Sequence, residues 1–471
     1  LANSEIPYFE HFQAVVAHEL AAQPLGVSEF WHRTVPRDAL QNRFVLDAVV
    51  AISALSRAIK SRTIRHVPDG VISSQSIDHE RHYSLARKHY AKALAEYRNL
   101  VAKETTAIAA PRKILVATLL ITAFETLQGN NSGVDALTAK GILVLKDNIM
   151  RTNDHGGTSQ VACSLDDLGV EEAGFYLLRR GSATSLLSPL YPQIRQVVMR
   201  TQQFLGSAWS PPELSHSLHS FISIYVRFLT PTLLWLNRVV ELRASGHPAE
   251  TDPLLRLEQI TITSRLKAWL EAVGDRLSTV SAPSCELADD YREWLSLQLL
   301  DIGTKTLYVC AATVLDLSRK SLADHEWTQE IIHQSRRMLS FKVSSPQFQR
   351  HIRERITFAM VHLARECREP QLRREVLELG MKTADSWDMK AALLGYGALA
   401  TVENRYRDAN GFLPETMHHD WTSASWDEGH TTLNVTITAR TPTERAQRQK
   451  RIALRVRDYG LGMPAAGNKP L

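Results

Sequence analysis

Cysteine is scarce in this chain. Its 471 residues hold four, at positions 163, 285, 310 and 367, and no two stand at C-x-x-C spacing. A disulfide framework and a structural zinc site are both unexpected, and a reducing compartment fits. Long hydrophobic runs are missing too. The most apolar stretch, Ile114 to Phe124, is 11 residues long and contains Thr118 and Thr122, whereas a membrane span needs about 20. Neither sign of charge dominates: 55 Lys and Arg against 50 Asp and Glu leave +5, too little to argue for nucleic acid. No P-loop, dinucleotide fingerprint or G-x-S-x-G appears, and His18-Glu19 lacks the second histidine of a zinc protease helix. The opening Leu1-Ala2-Asn3-Ser4-Glu5 has no initiator Met, basic segment or apolar run. No signal peptide is expected, and the chain is expected to be trimmed or part of a longer protein.

What is present is helical periodicity. Apolar residues make up 44% and charged residues 22%, the balance of a soluble globular protein. Tyr83, Tyr90, Leu94, Tyr97 and Val101 form an amphipathic stripe, as do Ile356, Met360, Leu363 and Cys367, and Trp387, Ala391, Leu394, Ala398 and Val402. Phe44 to Ile59 is apolar on nearly every side and predicts a central buried helix. Alternation is confined to Leu433, Val435 and Ile437, a short strand or extended tail. Breaks are expected at Arg62 to Asp78, Arg151 to Gly169, Ser207 to Pro212, Ser281 to Ser284 and Asn410 to His430. The predicted fold is all-α: a large helical array over residues 1–410, two lobes meeting near 150–210, then an irregular basic tail over 411–471.

Several groups carry candidate chemistry. Asp289, Asp290 and Glu293 sit in an aspartate-rich stretch in which Asp289 and Glu293 share a helix face, a candidate magnesium site for a diphosphate substrate. Carboxylates at a helix start are the ordinary alternative. Phe221, Tyr225, Phe228 and Trp235 flank Pro231 and are candidate linings of an apolar ligand cavity, with core packing as the plainer reading. His418-His419-Asp420 is read as a polar loop and Cys367 as a packed core thiol. Arg440 to Arg457 is strongly basic; within it Arg448, Lys450 and Arg451 are a nuclear-import candidate, and a solvated basic helix is the alternative. Pro370 is expected to open a helix that puts Arg373 and Arg374 in its first turn, against the dipole. A structural ion pair to Asp388 or Glu403 is the expected compensation.

The run Cys367-Arg368-Glu369-Pro370-Gln371-Leu372-Arg373-Arg374-Glu375-Val376-Leu377-Glu378-Leu379, followed by Trp387-Asp388 and Glu403, resembles a block in the C-terminal regulatory regions of fungal zinc binuclear cluster (six-cysteine) transcription factors. Tyr8 to Phe12, Phe44 to Ser56, His89 to Leu94 and Leu119 to Asn130 look like further segments of the same region, so the similarity runs over most of residues 5–410. Leu137, four before Gly141, stands where the family usually has His, and Phe358-Ala359 replaces its usual Pro-Pro. No six-cysteine cluster lies in residues 1–471.

The resemblance implies a regulatory, ligand- or partner-sensing domain, nuclear, with transcription as its output and an apolar small molecule or a protein as partner. It implies DNA contact only through a zinc cluster absent from this chain. No cofactor and no resident metal are expected. A free-standing relative, recruited as a cyclase- or isomerase-type enzyme of secondary metabolism and placed in the cytoplasm, is the alternative, with Asp289, Asp290 and Glu293 first to test. A homodimeric scaffold is the third reading.

Overall fold

The computed structural model describes residues 2–21, 30–63, 74–103, 111–128, 130–153, 215–244, 249–280, 292–315, 322–343, 346–384, 387–407, 417–426, 432–439 and 450–455, with a few single positions between them. The chain divides into two compact units. One holds Leu1–Ser182 and Gln193–Gly206; the other holds Ala183–Pro192 and Ser207–Leu471.

In the first unit lie α1 (Ile6–His11), α2 (Ala17–Ala21), α3 (Val35–Gln41), α4 (Arg43–Thr63), α5 (Ser74–Lys103), α6 (Pro111–Gln128) and α7 (Asn131–Asn153), with π-helical turns at Phe12–Val16 and Phe30–Thr34. Helix α4 is the centre: α1, α3, α5 and α6 all pack on it, and every residue from Phe44 to Ser56 is buried. An apolar circumference can be satisfied only inside a ring of partners. Helix α5 starts at Ser74, inside the break expected over Arg62 to Asp78, and buries Tyr90 and Tyr97 of its stripe. Helix α7 packs on α6. A Cβ at Gly141 would come within 2.4 Å of Leu177 Cδ2 and 2.9 Å of Thr118 Cγ2, so the absent side chain is what permits that approach.

The second unit contains α8 (Leu218–Ala244), α9 (Pro253–Thr279), α10 (Arg292–Thr313), α11 (Leu322–Ser340), α12 (Pro346–Glu366), α13 (Pro370–Thr383) and α14 (Trp387–Asn404). Helix α8 runs through Pro231 as one element. Helices α8, α9 and α10 bury one another around Trp269. The C-terminal carbonyls of α10, which have no intrahelical donors, are met by side chains. Arg243 Nη1 donates to Val314 O (2.7 Å), Arg256 Nη2 to Leu315 O (2.7 Å) and Gln259 Nε2 to Ala311 O (2.7 Å). Pro370 does open α13, behind an N-cap Glu369 whose carboxylate accepts from the Gln371 and Leu372 amides.

The described part of the tail is a small sheet, not the irregular segment expected. Strands β1 (His419–Trp426), β2 (Thr432–Ala439) and β3 (Lys450–Arg455) form an antiparallel sheet in that order. Trp421 pairs with Ile437, which pairs with Lys450, and a bulge interrupts β1 between Trp421 and Ser423. The alternation of Leu433, Val435 and Ile437 marked β2 alone. Strands β1 and β3 carry too few regular apolar positions to announce themselves, and β1 lies within the break expected over Asn410 to His430. The Trp421 ring seats the sheet on α14: it meets Tyr396 edge-on with centroids 5.3 Å apart, and a Cβ at Gly395 would lie 2.7 Å from it.

Candidate functional site

Two ion networks and one groove collect the charged residues of interest. The first network belongs to α4. Asp47 is the only charge in the run from Phe44 to Ser56, and a buried carboxylate needs partners. Arg43, one turn earlier, gives it Nε (3.1 Å) and Nη2 (3.0 Å) and gives Glu5 Nη1 (3.1 Å) and Nη2 (2.5 Å). His89 of α5 donates Nδ1–H to Asp47 Oδ1 at 2.6 Å. The hydrogen bonds from Arg43 hold the Glu5 carboxyl down at about 2. Glu5, Asp47 and His89 place three ligand-type atoms within 4.8 Å of one another. The Arg43 guanidinium already supplies positive charge to both carboxylates, so the set is a structural tie between the chain start, α4 and α5. Sequence reasoning missed it, although a lone Asp in an apolar helix was the signal.

The second network joins α12, α13, α14 and β1. Glu403, fully buried on α14, accepts from Arg368 Nη1 at 2.5 Å and Arg373 Nη1 at 2.6 Å, both on Oε2, and from the His419 backbone N–H on Oε1 at 3.0 Å. Burial raises its pKa, but the two guanidiniums and the amide prevail and hold it at about 2. The carboxylate expected to compensate Arg373 is thus Glu403; the side chain of Asp388 lies outside the described residues. Arg373 also donates Nε to Ala364 O at 2.8 Å, and Arg365 pairs with Glu366 at 2.7 Å. His418 and His419 are buried here and are not a polar loop; His419 donates Nδ1–H to Met417 O at 2.6 Å. Cys367 is the packed thiol expected, and burial pushes it up to about 11.

The groove lies where α13, α14 and β3 meet and has a volume of about 940 Å³. Leu377, Met381, Leu394, Ala398, Val402 and Leu454 form its floor, while Lys382, Arg405, Lys450 and Arg451 stand at it with Glu378 the one acid among its described lining residues. Lys450 and Arg451, the described members of the import candidate, are therefore strand residues beside an apolar trough rather than part of a basic helix; Arg448 lies outside the described residues. Lys450 Nζ donates to Tyr406 OH at 2.6 Å and sits 4.7 Å from the centre of that ring.

The remaining candidates are dispersed. Phe221, Tyr225 and Phe228 all pack against Trp269, with ring centroids 5.2–5.5 Å from it. Trp235 instead donates its indole N–H to Glu258 Oε2 at 3.0 Å. Glu293, in the first turn of α10, accepts from Arg276 Nη2 at 3.1 Å; Asp289 and Asp290 lie outside the described residues.

The helices of the first unit are also the part of the chain with a recognisable counterpart. Residues 7–151 match the family model of the fungal specific transcription factor domain. That match covers α1 to α7, all but the last residues of α7, and carries the resemblance of Tyr8 to Phe12, Phe44 to Ser56, His89 to Leu94 and Leu119 to Asn130. It stops before the Cys367 to Leu379 block. No curated protein and no solved structure matches the chain. Among the described residues, no helix is long and apolar enough to cross a membrane.

Proposed function

We propose that this chain is the regulatory body of a fungal transcription factor, a non-catalytic helical protein that changes transcription when a ligand or partner occupies it. The observation that carries the reading is the match of residues 7–151 to the fungal specific transcription factor domain. The groove of the second unit supports the sensing half of the reading, since an apolar trough with charged margins is what a binding surface needs. Occupancy would act by favouring one of two pre-existing states, by as much as its affinities for them differ. DNA contact would come from a zinc cluster outside these residues, and the working location would be the nucleus. Of the aspartate-rich trio, the described member Glu293 is engaged by Arg276.

A reporter assay tests this. The chain is fused to an unrelated DNA-binding domain and expressed in a fungal host carrying that domain's operator upstream of a reporter. The fusion should raise or lower output several-fold relative to the DNA-binding domain alone, and fluorescence microscopy of the tagged chain should show it in nuclei. A fusion indistinguishable from the bare DNA-binding domain would remove the regulatory reading.

A further inference from the structure

We infer that the groove between α13, α14 and β3 is a docking site for an amphipathic helix with acidic flanks, supplied by a partner protein. The inference names the partner chemistry of the sensing surface proposed above and rests on that reading only for its consequence in the cell.

Three observations favour this occupant. The first is charge. Among the described lining residues, four cations stand at the groove and Glu378 is the one acid. Lys382, Arg405 and Arg451 are exposed, and none of the four forms an ion pair with a described carboxylate. The hydrogen bond from Lys450 goes to the neutral Tyr406 OH, so it fixes the head group over that ring without supplying a counter-charge. An occupant with carboxylates along its margins neutralises this rim, and one with Lys or Arg there is repelled.

The second is shape. The floor is apolar and the groove is only partly enclosed. A compact apolar molecule would leave much of itself in water, whereas a helix that buries one face and solvates the other matches the opening. From Leu393 to Val402 the α14 wall rises about 13 Å at about 1.5 Å per residue. That is about two and a half helical turns, room for apolar anchors at i, i+3 or i+4, and i+7.

The third is rigidity. Both helical walls are fixed from behind. Arg373 of α13 is bound to Glu403 of α14, and a Cβ on Gly380 would sit 2.8 Å from Leu393 Cδ2, so the two helices meet without a gap. The third wall, β3, is paired along its length with β2. A preformed groove spares a ligand the cost of ordering its walls.

The experiment is a selection with the full chain. A displayed library of helical peptides of about 18 residues carries Leu at the anchor positions and, elsewhere, Asp, Glu, Lys, Arg, Gln and Ala at equal frequency. Selection should enrich Asp and Glu. By fluorescence anisotropy, the selected peptides should bind more weakly as salt rises, and lose about tenfold or more on the variant K382E/R405E/R451E. That variant changes exposed residues and should keep the parent melting temperature. Ala398→Trp, which fills the floor, should block binding independently of charge; if it fails to fold, the charge-reversal comparison stands alone. A pool that is neutral or basic, a pool that yields no binder, or binders retained by the triple variant overturn the inference. So does concentration-dependent dimerisation by light scattering that R405E abolishes, which would assign the groove to a second copy of this chain. The binding assay contains no DNA, so its outcome and that of the reporter assay are separable.

Discussion

Glu403→Gln removes one charge and almost no volume, and the structure fixes what that should cost. Arg368 and Arg373 are 8% and 1% exposed and share Glu403 Oε2. Neutralising the carboxylate leaves two buried guanidiniums without their counter-charge, a change worth about 3–5 kcal/mol in buried pairs. Titration gives a second route to the magnitude. A carboxyl held at about 2 instead of 4.5, at about 1.4 kcal/mol per pKa unit, contributes about 3 kcal/mol. The two routes agree, so the expected loss at neutral pH is about 3 kcal/mol. Urea unfolding followed by tryptophan fluorescence is the assay. Eight of the nine tryptophans fall between Ser207 and Leu471, so the signal reports chiefly on the unit that contains Glu403. The pH dependence has a fixed direction. A depressed folded pKa gives stabilisation that is complete above about 4.5 and is lost as pH falls towards 2. The parent should therefore lose its advantage over E403Q across that window. A loss under about 1 kcal/mol at pH 7, the worth of an exposed pair, would refute the claim that this network holds α12, α13, α14 and β1 together.

Three further outcomes follow from the geometry. Gly141→Val should destabilise the first unit by about 1–3 kcal/mol in thermal or urea unfolding, since its side chain must displace Leu177 and Thr118. His362, fully buried, is held at about 3 by desolvation and the nearby Arg365. It binds a proton more readily unfolded, so its contribution is present above about 6.5 and falls on acidification towards 3; His362→Phe should flatten that part of the stability profile. Chelation with EDTA should leave the melting temperature of the chain unchanged, because Arg43 already bridges Glu5 and Asp47; a drop on chelation would mean that a metal, not the guanidinium, holds that cluster.

Much of this was legible from pattern. A helix such as α4 needs only local periodicity to be recognised, and the clash of Arg373 with the α13 dipole was enough to call for an acid on the next helix, which is Glu403. The aromatic spacing of Phe221, Tyr225 and Phe228 placed them on one face, but not Trp269, the ring from α9 that meets them. What stayed hidden depends on long-range pairing. Strand β1 mixes His, Asp, Trp, Thr and Ser because its burial is decided by α14 and β2 rather than by alternation within itself. Likewise the burial of His418 and His419 and the position of Lys450 and Arg451 at a groove follow from a sheet whose existence only Leu433, Val435 and Ile437 hinted at.

The third wall of the groove is also its last-made part. Translation delivers α13 and α14 before β3, which cannot pair until Lys450 to Arg455 have left the ribosome. During that interval Leu377 and Leu394 stand without the facing wall that Ile452 and Leu454 complete, a window in which a chaperone would find a binding surface. A message cut short between Ala439 and Lys450 would still encode Glu403 and His419, and with them the lock on the helices. Its product would keep a stable helical frame while having no completed groove, which makes the last strand a point at which recognition can be lost without loss of the fold.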